Sequence, residues 1–148
     1  MWMLSQKKYD IARNDFESLK RHFPLDEASY LGLGQLEAIN GNSEKALEMY
    51  DKALELNANE ETWFYKITIE IESDKLEKAE DDLRYSLKRF PRCGNLYLLR
   101  GLIHKIKFQN EAAEIDRKIA LEYGSDPLVV EKILPSNHKQ EGNNNKKR

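Results

Sequence analysis

Apolar residues return at steps of three and four along much of the chain, as at Leu47, Tyr50 and Leu54 and again at Leu96, Leu99, Leu102, Ile103 and Ile106. Such spacing comes back to one side of a helix at every turn, so it predicts amphipathic helices that each bury a stripe. Short polar breaks separate the stripes. In Asn40-Gly41-Asn42-Ser43 the glycine suits a left-handed helix cap and Ser43 suits the N-cap of the next helix, which together mark a helix hairpin.

The pattern recurs as a block. Ala12, Ala46, Ala79 and Ala113 are separated by 34, 33 and 34 residues. Sixteen residues before the alanine stand Tyr30, Trp63 and Tyr97; seven after it stand the small residues Ala53, Ser86 and Ala120; four after it stand Phe16, Tyr50 and Leu83. Gly34 and Gly101 lie twelve residues before it, where a missing side chain lets two helices approach closely. Phe23-Pro24, Phe90-Pro91 and Asp126-Pro127 fall near unit ends, where proline stops one helix and starts the next. A fixed period near 34 residues is the signature of a stacked repeat, in which each hairpin buries its apolar face on its neighbours.

The expected architecture is all-α: an α-solenoid of tandem antiparallel helix hairpins. It comprises a partial unit over 1–24, full units over 26–58, 60–91 and 94–125, and a capping helix over 127–134, so that the repeat domain spans 1–134. Residues 135–148, which include Asn143-Asn144-Asn145-Lys146-Lys147-Arg148, hold almost no apolar side chain and are expected to be a disordered polar tail.

Composition adds limits. The 148 residues suit one domain; 40% are hydrophobic and 34% charged, with four prolines and seven glycines, a balance that favours helices over strands and turns. The formal charge is −2, without the basic excess that nucleic acid or an anionic membrane demands. One cysteine, Cys93, rules out an internal disulfide framework and suits a reducing compartment, so the cytoplasm is the expected location. Neither a signal peptide nor an apolar run of about 20 residues is present, so no membrane span is expected.

The segment Ala28 to Asn59, with Tyr30, Leu33, Gly34, Gly41, Ala46, Tyr50 and Ala53, resembles the tetratricopeptide repeat family. The second unit departs from the family pattern with Ile67 at the glycine position and Ser86 at the small position; the third has Arg117 in place of an aromatic. The resemblance covers about residues 1–125. It implies a right-handed superhelix whose concave face, lined by the first helix of each hairpin, takes up a peptide or helix of another protein. Carried over residue by residue, that face holds Ala28, Leu31, Gln35 and Ala38, then Glu61, Phe64, Thr68 and Ile71, then Asn95, Leu98, Leu102 and Lys105. Relatives that clamp acidic chaperone tails use lysine, arginine and asparagine on this face. Here Leu31, Gln35, Tyr65, Glu61 and Leu99 stand in those places, so that ligand is disfavoured.

Two readings stand side by side for several residues. Phe64, Leu98 and Leu102 are either anchors for a partner or packing between neighbouring first helices. Trp2, Met3 and Leu4 either fold back onto the helix of Phe16 and Leu19 or form an apolar edge through which the incomplete first repeat pairs with another copy, giving a homo-oligomer. The run from Asp74 to Asp82 reads as a solvated helical face, with Lys78 and Asp82 at the i,i+4 spacing. Lys146, Lys147 and Arg148 could add a salt-sensitive attraction to nucleic acid, but no aromatic stacking set accompanies them and no such partner is expected. Cys93 and His104 lack the oriented third group of a nucleophilic site, and His22, His104 and His138 are scattered. No catalytic residue, cofactor or metal site is expected, and the predicted function is a non-catalytic scaffold or adaptor for another protein.

Overall fold

The computed structural model describes residues 2–22 and 26–136. These hold eight helices and no strand: α1 (Trp2–His22), α2 (Glu27–Ile39), α3 (Ser43–Leu56), α4 (Glu60–Glu72), α5 (Leu76–Arg89), α6 (Gly94–Ile106), α7 (Asn110–Glu122) and α8 (Pro127–Ile133). Consecutive helices pair as hairpins, and the fold class is that of an α-solenoid. The chain divides into two compact units, residues 1–82 and 83–148, with the division inside α5.

In the first unit α2 packs against α1 and α3, and α4 packs against α3 and touches α2. Its core gathers Ala46, Leu47 and Tyr50 of α3 with Ile69 of α4, and half-buried Leu31, Ala38 and Tyr65 pack against them. Ala46 is 0% exposed, which explains a small residue at the position that defines the period. Gly34 meets the Tyr50 ring so closely that an added Cβ would sit 2.5 Å from Tyr50 Cε1. The helix-propensity cost of this glycine therefore permits a close helix contact.

In the second unit α6 pairs with α7, and α8 packs on both. Leu98 and Ala120 are closed over by Val130 and Leu134, with Tyr97, Leu121 and Ile133 around them. The predicted stripe on α6 ends early: Leu96, Leu99 and Ile103 are buried and Leu102 is half-buried, but Ile106 is exposed because it lies in the last turn, where the chain leaves the helix pair.

The three hairpin turns share one geometry. Gly41, Asp74 and Phe108, at equivalent positions, all take positive φ, of 81°, 61° and 61°. The next residue's N–H then reaches back to a carbonyl five residues earlier: Asn42 to Glu37, Lys75 to Glu70 and Gln109 to His104, each at 2.8 Å. This satisfies a carbonyl the helix end would leave open. Ser43 was the expected N-cap of α3; it is instead the first helical residue, and Asn42 is the cap. The Asn42 amide does not cap the helix but donates to Glu37 Oε2 at 2.8 Å, because the tight turn brings the end of α2 within reach. Side-chain caps do begin α2, α4 and α8, where Asp26, Asn59 and Asp126 accept from Ala28, Thr62 and Leu128. Pro127 opens α8, where its missing N–H leaves no helical bond unmade.

The first-repeat edge is also different from one expectation. Trp2, Met3 and Leu4 continue α1 without a break, and a helix rising about 1.5 Å per residue carries them roughly 18 Å along the axis from Phe16, so they do not fold back onto it. Their side chains lie outside the described residues, as do Pro24, His138 and nearly all of the expected polar tail.

Candidate functional site

In the first unit the predicted binding residues sit on α2 and α4, two first helices in contact. Leu31 and Ala38 are half-buried and already lean on the Tyr50 core; Gln35 is half-buried beside them. On α4, Glu61 is exposed, while Phe64 and Thr68 are half-buried. The Phe64 ring meets Tyr65 edge-on, with centroids 5.7 Å apart, and Tyr65 in turn stacks on Tyr50 at 6.2 Å. The Thr68 hydroxyl donates to the Phe64 carbonyl at 2.7 Å, so its proton is already engaged within the helix. Together these make a face of aromatic edge and short side chains, bounded by the Glu61 carboxylate.

In the second unit the predicted residues part company. Lys105 is exposed and Leu102 half-buried, but Leu98 is 0% exposed beneath Val130 and Leu134. Leu98 is core here: α8 packs on α6 as a following first helix does, and burying a leucine in this way is worth about 2 kcal/mol. Asn95 is occupied differently, accepting from Ser125 Oγ at 2.8 Å.

The structure also brings together charged groups that the sequence reading did not pair. Lys66 on α4 is buried, its ammonium 2.8 Å from Asp51 on α3 and 3.3 Å from Asp82 on α5. Burial works to lower the Lys66 pKa, but the hydrogen bond to Asp51 and the charges of Asp51, Asp82 and Glu70 outweigh it, so the group stays above its ordinary value. Asp82, expected on a solvated face with Lys78, turns into the hairpin toward Lys66. An equivalent set occupies the next hairpin. Arg100 grips Asp116 with Nε at 3.1 Å from both oxygens and Nη2 at 2.7 Å from Oδ1, and His104 Nε2 lies 3.5 Å from Asp116 Oδ2. Asp116 is 2% exposed. The Arg100 hydrogen bond, against the opposing effect of burial, raises the guanidinium pKa further.

A signal for both sets was present in the sequence. Lys66 precedes Asp82 and Arg100 precedes Asp116 by sixteen residues, and Glu70 and His104 follow the two cations by four. Sixteen residues span the hairpin from the first helix to the second, so a base and an acid at that interval face each other. These clusters hold hairpins together; they present no nucleophile with a base. Among the described residues there is no group of three or more side chains suited to a metal ion, and no helix long and apolar enough to cross a membrane.

Comparison with known proteins agrees with this architecture. The family model of the tetratricopeptide repeat matches residues 4–61. Among solved structures, the crystal structure of MamA is similar with a TM-score of 0.66 at 16% identity, over 81% of this chain and 71% of that one. A MamA RS-1 double mutant has a TM-score of 0.65 at 20% identity, over 82% and 68%. A tetratricopeptide repeat protein from Parabacteroides merdae has a TM-score of 0.51 at 20% identity, over 88% of this chain and 65% of that one. At these identities the likeness concerns the fold. No curated protein matches the sequence. Residues 4–61 thus carry a recognisable tetratricopeptide repeat, and the helix hairpins that continue through α7 have the fold of tetratricopeptide repeat structures.

Proposed function

We propose that the chain is a non-catalytic scaffold that holds a peptide or helix of another protein against its first helices. The observation that carries this reading is the α4 face: Phe64 is half-buried, held edge-on by Tyr65, with exposed Glu61 one turn before it and Thr68 one turn after. A preset aromatic edge loses little conformational entropy when a partner covers it, and a flanking carboxylate orients what binds. Gln35 on the touching helix α2 adds amide donors and an acceptor to the same unit. In the second unit Leu102 and Lys105 on α6 are the residues left to a partner, since α8 covers Leu98. The lone cysteine and the absence of a spanning helix among the described residues support a cytoplasmic place for this activity.

The test is affinity capture from the native cell with tagged wild-type chain and with Phe64→Ala and Leu102→Glu variants of equal helicity. A partner lost from either variant supports the reading. A partner retained by both removes these faces from consideration. Recovery of only further copies of the chain by every form would favour self-association instead.

A further inference from the structure

Glu70 is the fully buried carboxyl of the first charged cluster: it is 0% exposed on α4, and neither carboxyl oxygen has an N–H or O–H donor. The group that faces it is another carboxyl, that of Asp82 on α5, whose Oδ2 is also buried without a hydrogen bond. Lys66 lies 3.3 Å from Asp82 Oδ2, near enough for charge attraction, but gives its hydrogen bond to Asp51 at 2.8 Å. One ammonium thus stands among three carboxyl groups. Lys78, on α5, adds an exposed and more weakly coupled positive charge. From α3 the charged group in reach is Asp51, acting through Lys66; α2 adds none among the groups acting on Glu70.

Two carboxylates in contact cannot both stay ionised in a site that excludes water, and a proton on one makes it the donor the other lacks. We propose that Glu70 and Asp82 hold one proton between them at neutral pH, with Glu70 the protonated partner, and that this proton joins α4 to α5 in the second hairpin. Burial, then the hydrogen bond and charge of Asp82, push the Glu70 pKa up to about 8 against the pull of Lys66 and Lys78. The folded chain therefore keeps a proton that the unfolded chain releases near the ordinary value of 4.5. Stability from this group is full below that ordinary value, falls as pH rises toward 8, and is gone above it. Glu61, Phe64 and Thr68 ride on the same helix, so loss of the proton would loosen the face offered to a partner; that consequence rests on the proposed scaffold role, whereas the proton does not.

The experiment compares urea unfolding of the full chain with that of Glu70→Gln across pH 5 to 9. Glutamine keeps the shape and supplies a permanent donor to Asp82. The ratio of the wild-type to the variant folding constant is expected to fall about tenfold per pH unit through the middle of the interval and to level off beyond about 8. A ratio independent of pH would overturn the proposal. Carbon-13 titration of the wild-type side-chain carboxyls gives a second reading that needs no variant: one glutamate is expected to ionise well above the rest, and complete ionisation of every carboxyl by pH 6 would also overturn it.

Discussion

The ammonium of Lys66 lies 2.8 Å from the carboxylate of Asp51, and the two belong to different repeats. Asp51 lies on the second helix of one hairpin and Lys66 on the first helix of the next, so this ion pair spans the junction between successive repeats. Because the lysine is buried and also faces Asp82, it offsets two negative charges that α3 and α5 bring toward α4.

Replacing Lys66 with methionine keeps most of its length and removes its charge. Asp82 then faces Glu70 without a cation, and Lys66→Met is expected to cost about 2–4 kcal/mol, because breaking a buried pair leaves an uncompensated charge. Urea unfolding at neutral pH measures it; a loss under about 0.5 kcal/mol, the range of ordinary surface changes, would show that the pair contributes nothing net.

Arg100 and Asp116 call for a double-mutant cycle. With Asp116 buried and gripped by two guanidinium nitrogens, Arg100→Met and Asp116→Asn are expected to couple by about 1.5–3 kcal/mol. Thermal unfolding of the four proteins gives the coupling directly, and strictly additive losses would contradict it.

Gly34→Ala should destabilise although alanine is the better helix former. The new Cβ would meet the Tyr50 ring at 2.5 Å, and overpacking of this kind costs about 1–3 kcal/mol, more than the ~1 kcal/mol that propensity returns. A melting temperature at or above that of wild type would mean that the Tyr50 ring moves aside freely. Ala46→Leu, at the 0% exposed position of the period, is expected to lose a similar amount by the same physics.

Phe108 should yield stability when replaced. It is 89% exposed and held at φ 61°, a left-handed conformation unfavourable to a side chain of its size. Phe108→Gly is expected to gain about 0.5–1 kcal/mol, a rise of roughly 1–4 °C in Tm for a chain of this length. Calorimetry decides; a fall in Tm would show that the ring holds the α6–α7 turn through contacts worth more than the strain.

The sequence alone determined the repeat and the helices. Ala46, Ala79 and Ala113 recur because a helix crossing leaves room for a methyl group and nothing larger, and that constraint is written once per hairpin in residue identity. Helical periodicity likewise needs only local information, since it records which side of one helix meets apolar neighbours. It cannot say which neighbour, or whether one is there at all. Leu98 reads as a groove residue until α8 folds over it, and Ile106 reads as core although its helix has by then left the pair. Asp82 reads as a solvated partner of Lys78 because spacing within one helix is visible, whereas the approach of Lys66 and Glu70 from the helix before it is not. Tertiary structure decided those cases because burial and electrostatic pairing belong to surfaces brought together from distant parts of the chain, and a charged side chain carries the same letter in water as in a core.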